Sequence, residues 1–85
     1  MYNGLIRINE WIPTAERLPD KDFVGQVLVT MEQRSNGELF RSVGECHFCY
    51  YLEKPSWFHE ALNREIPDHF ITAWMPMPKP YIAGD

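Results

Sequence analysis

Gln26-Val27-Leu28-Val29-Thr30-Met31-Glu32, then Arg34-Ser35-Asn36-Gly37-Glu38, then Leu39-Phe40-Arg41-Ser42-Val43, decide the fold of this chain. The first run is rich in β-branched residues and reads as a strand. Asn36-Gly37 is the strongest short hairpin signal, because both positions tolerate φ > 0. The return strand continues past Gly44 through Glu45-Cys46-His47-Phe48-Cys49-Tyr50-Tyr51-Leu52. A glycine inside so long a run predicts a bulge or bend.

Outward from this hairpin the pattern weakens. Lys54-Pro55-Ser56 is read as a break, Trp57-Phe58-His59 as a short third strand, and Glu60 to Asp68 as a loop with room for one helical turn. His69 to Met75 reads as the last strand. The alternating prolines of Met75-Pro76-Met77-Pro78-Lys79-Pro80 cannot continue a ladder and favour an extended tail over the domain's own sheet. Upstream, Pro13 and Pro19 leave space for a single helical turn at Pro13-Thr14-Ala15-Glu16, with Trp11 and Leu18 as apolar pins. Met1 to Asn9 carries only a weak extended signal. Connections this short exclude parallel crossovers. The expectation is a mainly β, α+β domain: a three- to four-stranded antiparallel sheet with a long hairpin, one short helical turn and a Pro-rich C-terminal tail. Its core is expected to contain Trp11, Leu28, Phe48, Trp57 and Trp74.

At 85 residues the chain is a single domain over 1–85, with 81–85 as a flexible tail. Aromatic residues make up 14% of it, enough to anchor a small core without disulfides. A net charge of −4 and dispersed arginines Arg34, Arg41 and Arg64 argue against nucleic-acid binding. No stretch approaches the ~20 apolar residues of a membrane span, and Met1–Arg7 does not have the form of an export signal. The expected location is therefore the cytoplasm.

Three pieces of the chain carry a resemblance. They are Trp11-Ile12 followed by Arg17-Leu18-Pro19, the strand Val27-Leu28-Val29, and the closing Trp74-Met75-Pro76-Met77-Pro78-Lys79-Pro80. In order and spacing they resemble the small phage and prophage proteins catalogued as domain of unknown function 551, over residues 10–80. Trp57-Phe58 resembles that family's W-[YF] element. Two departures stand out: Ala73 replaces a histidine before the closing Trp, and Arg34–Leu52 is longer and more aromatic than usual. The resemblance implies a phage or prophage setting and a small β-rich fold. It brings no established activity.

Cys46-His47-Phe48-Cys49 has the C-x-x-C spacing of zinc and redox sites. On a regular strand, however, its cysteines point to opposite faces, and neither His47, His59, His69 nor a carboxylate supplies a paired second half. Two partly buried strand cysteines is the plainer reading, so neither metal nor cofactor is expected. The three histidines and Ser35, Ser42 and Ser56 form no nucleophile motif, and no enzyme is expected. Glu10, Glu16, Asp20 and Asp22 match no calcium loop and read as a solvated acidic edge that could attract a basic protein surface. Trp57 is the tryptophan expected to be exposed, despite its place in the core roster, because it follows a proline break. Candidate binding residues are thus Trp57, Phe58, Tyr50, Glu16, Asp20 and Asp22. The leading expectation is a non-enzymatic binder of a host bacterial protein, such as an inhibitor of a defence system. A module that stacks a nucleotide-like ligand is the alternative, and a small zinc module a third. The strand edge around Ser42–Phe48 offers a place for a partner strand or a second copy.

Overall fold

The structure, a computed structural model, describes residues 10–78 and 80–83. Among the described residues, six strands form one antiparallel sheet: β1 (Ile12–Pro13), β2 (Gly25–Ser35), β3 (Glu38–Tyr51), β4 (Lys54–His59), β5 (Arg64–Ile66) and β6 (Ile71–Pro76). Their spatial order is β1-β6-β2-β3-β4-β5. The mainly β, antiparallel expectation holds, but the sheet has six strands, not three or four. The two additions are edge strands of two and three residues. Segments so short carry no periodicity, and only their register against β6 and β4 makes them strands.

The β2–β3 hairpin closes on Asn36 and Gly37, at φ 54° and 83°. The helical turn after Pro13 is present, with Glu16 and Arg17 N–H both donating to the Pro13 carbonyl at 2.9 and 3.1 Å. A 3₁₀ turn at Asp68–Phe70 precedes β6, so the last strand begins at Ile71 and not at His69. It also runs through Pro76, so the tail begins at Met77. Met75 is buried within β6, whereas Met77 is exposed. Of the expected flexible tail, residues 84–85 lie outside the described residues, as does the weak extended segment 1–9.

Two proline and glycine expectations are corrected. Pro55 does not break the sheet but belongs to β4, opposite Tyr50. The two-residue turn makes Tyr51–Lys54 a hydrogen-bonded rung, so Pro55 turns its missing N–H away from β3. On that far side β5 pairs only from Trp57 onward. Gly44 makes no bulge: the β2–β3 register is unbroken from Gly25↔Phe48 to Ser35↔Glu38. Gly44 is instead a site of close approach, where an added Cβ would lie 2.5 Å from His59 Nε2. The irregularity falls between Thr30 and Met31, where β2 pairs with β6. Thr14 caps it, its Oγ1 donating to the Ile71 carbonyl at 3.0 Å and its N–H to that of Thr72 at 3.0 Å.

Register assigns the faces. Ile66, Trp57 and Phe48 share one row; Val27 and Cys46 share the next with His59; Val29, Trp74 and Ile12 share a third. These side chains form the core. Phe48 stands edge-on to Trp57 and Tyr50, at centroid distances of 4.6 and 5.1 Å. Among the described residues the sheet has no second layer, and residues 14–24 cover its core face. The Trp74 indole donates to the Arg17 carbonyl and the Tyr50 hydroxyl to that of Pro19, both at 2.8 Å. Leu18 and Phe23 of this strap pack on the core. Phe48, Trp57 and Trp74 are core as expected, but Trp11 and Leu28 are not. Ile12 takes the inward position of β1, leaving Trp11 39% exposed. Leu28 lies half-buried on the opposite face, beside Met75.

Gly44→Ala should destabilise the fold by about 1–3 kcal/mol, the usual penalty for overpacking. In chemical denaturation, the loss should shrink when His59→Ala is added. Additive losses would show that the imidazole is not the obstacle.

Candidate functional site

The structure disperses the sequence-predicted binding residues. Trp57 is 1% exposed, sealed between Phe48 and Ile66, and cannot stack on a ligand. Adjacent residues of a strand face opposite ways, so Phe58 emerges on the far side, beside His47. Tyr50 is half-buried, its hydroxyl committed to the strap. Glu16, Asp20 and Asp22 are exposed on that strap, which covers the face opposite Phe58. The acidic edge and the aromatic face therefore do not form one site.

The cysteines are free and on opposite faces, Cys46 in the core and Cys49 half-buried. With no bend at Gly44 they cannot converge. Burial, helped by the neighbouring Glu45 charge, pushes the Cys46 thiol up from 9.0 to about 11. Each histidine has a local role. His59 Nδ1 accepts from the Leu62 N–H at 3.2 Å, which places its proton on Nε2. His47 Nδ1 lies 2.9 Å from Gln26 Oε1, and Gln26 Nε2 donates to Glu45 Oε2 at 2.8 Å. His69 packs on Phe70. Among the described residues, no group of three or more His, Cys, Asp and Glu side chains could hold a metal ion. No described helix is long and apolar enough to cross a membrane.

A different place stands out: the β3–β4 turn. Leu52 and Glu53 occupy its two central positions at φ 52° and 66°. The same left-handed geometry is met at the other hairpin by Asn36-Gly37, residues suited to it. Here a leucine and a glutamate adopt it at roughly 1–2 kcal/mol each. The result is display: Leu52 is 79% and Tyr51 68% exposed. Beside them lies an open groove of about 570 Å³ lined by Tyr51, Leu52, Lys54, Pro55, Glu65 and Asp68, among others. Two carboxylates against one ammonium disfavour a phosphate-bearing ligand there. Nothing in the sequence pattern singles out Leu52-Glu53, because neither residue is a turn former.

The chain matches a family over residues 10–81, described as "Protein of unknown function (DUF551)". It belongs to that family. No curated protein and no solved structure matches it. In this DUF551 chain the closing motif lies on β6: Trp74 anchors the strap, and Ala73, where the resemblance expected a histidine, pairs with both Thr30 and Pro13.

Thiol chemistry should separate the two cysteines. Cys49 should react with a maleimide in the native protein, and Cys46 only after unfolding. The raised thiol means that the folded chain holds a proton which the unfolded chain releases above pH 9. Stability should therefore fall as pH rises from about 9 to about 11. Equilibrium unfolding of the wild type and Cys46→Ala across that range checks it, the variant losing this part of the slope.

Proposed function

We propose that this chain is a phage or prophage accessory protein that acts, without catalysis, by binding a host protein. The contact surface would be the β3–β4 turn and the groove beside it. The carrying observation is Leu52-Glu53, held in the left-handed region so that two large apolar side chains project into solvent. Strain of this kind lowers stability and brings the fold no burial, which is the pattern of residues kept for contact. Tyr51 and Leu52 offer the aromatic and aliphatic anchors of an interface, and Glu53, Glu65 and Asp68 a rim suited to a basic partner. The phage setting rests on the resemblance of the closing and opening motifs.

Nucleotide-like sequestration is the weaker reading. Its stacking residue, Trp57, is buried, and the groove at the turn presents carboxylates.

The test joins stability to binding. Replacing the turn by Leu52→Asn with Glu53→Gly should raise stability by about 1–2 kcal/mol, because both left-handed penalties fall while the new glycine costs backbone entropy. The same variant should lose a bacterial protein that the wild type retains in affinity capture. Retention by both, or by neither across several hosts, would sink the proposal.

A further inference from the structure

The two outer edges of the sheet are short, and β1 carries a proline, both usual protections against edge pairing. A third edge has no such protection. β3 pairs with β4 only from Cys46 onward. Among the described residues no strand pairs with Leu39–Glu45 on the side away from β2. This segment holds no proline, lysine or bulge. It also gathers exposed apolar side chains: Phe40 at 54% and Val43 at 62%, with Leu39 alongside and Leu62 close by.

The register shows what this edge offers. The two-residue turn makes Ser35–Glu38 a hydrogen-bonded rung, so Gln33–Phe40 and Met31–Ser42 follow as the alternate ones. The intervening residues Leu39, Arg41 and Val43 turn their N–H and C=O groups outward. They stand on the sheet face opposite the core, with Phe40 on the core side.

We infer that the occupant of this edge is a second copy of the chain, paired antiparallel about a two-fold axis at Arg41. Leu39 of each copy then faces Val43 of the other, and Arg41 faces its mate, so three of the edge's four outward-facing residues form rungs and Glu45 is left over. A two-fold at Phe40 would use only the Leu39–Arg41 rungs. One at Ser42 or Val43 would drive the second copy's turn into β4, whose last residue, His59, lies opposite Cys46. The apposed arginines are compensated, because each Arg41 Nε already lies 2.7 Å from Glu32 Oε2. The row Glu32–Arg41–Arg41–Glu32 is neutral and self-complementary. On the other face Phe40 comes over Ser42 of the second copy. It thereby reaches the rim of the groove of about 150 Å³ that Ser42 lines with Met31, Leu62, Phe70 and that copy's own Phe40. Such pairing is isologous and closes at a dimer. It leaves the two Leu52 turns free, since they lie at the opposite end of β3.

Light scattering behind size exclusion, over a micromolar to millimolar series, tests this. The wild type should show about twice the 10.0 kDa chain mass. Val43→Lys, which adds a charge at an already exposed position, should return it to the monomer with an unchanged circular dichroism spectrum. In a Cys49→Ser background, Leu39→Cys mixed with Val43→Cys should give a disulfide-linked dimer that neither gives alone. A monomeric wild type, a dimer indifferent to Val43→Lys, an open-ended series of larger species, or cross-linking of either cysteine variant with itself would each overturn the inference.

Discussion

A single sheet has two faces and nothing of its own to bury either, and the strap over residues 14–24 resolves that problem on one side. The two hydrogen bonds at 2.8 Å, from the Trp74 indole and the Tyr50 hydroxyl to strap carbonyls, are its tie points. Both donors come from rings that pack within or against the core, so polar tip and apolar body serve the same attachment. Removing the strap would expose Phe48, Val27 and Val29 along one face. At roughly 1.5–3 kcal/mol per large buried side chain, a domain this small has little else with which to compensate.

The strap also explains why the acidic residues are a poor guide to the site. Glu16, Asp20 and Asp22 are exposed because they line the solvent side of a covering loop. The exposed apolar side chains are more informative. Five of them lie at the two ends of β3, the longest described strand: Leu39, Phe40 and Val43 near one end, Tyr51 and Leu52 at the other. Between these ends the strand is paired on both sides and its inward residues are buried. Burial is thus concentrated in the middle of β3, and apolar exposure at its ends.

Much of the fold was legible. The Asn36-Gly37 turn, the long hairpin, the turn after Pro13 and the absence of parallel strands follow from local chemistry: left-handed tolerance, β-branching and proline geometry. The tryptophans were less legible. Trp57 follows a proline that reads as a break, yet Pro55 sits on a rung that needs no N–H, so β4 continues and turns Trp57 inward. Trp11 reads as an anchor, yet a two-residue strand admits only one inward side chain, and that is Ile12. The candidate site was not legible at all, since Leu52-Glu53 contradicts turn propensity and is seen only through its backbone angles.

Sequence by itself determined the longer strand-forming segments, the principal hairpin and its turn, and membership of a family with no assigned activity, because each depends on residues close in the chain or on their ordered spacing. Tertiary structure alone decided the strand order, the function of Gly44 as clearance for His59, the separation of Cys46 from Cys49, and which tryptophans are buried. The physical reason is register. A shift of one residue between strands reverses every side chain, and register here is set by contacts between residues as far apart as Thr14 and Thr72.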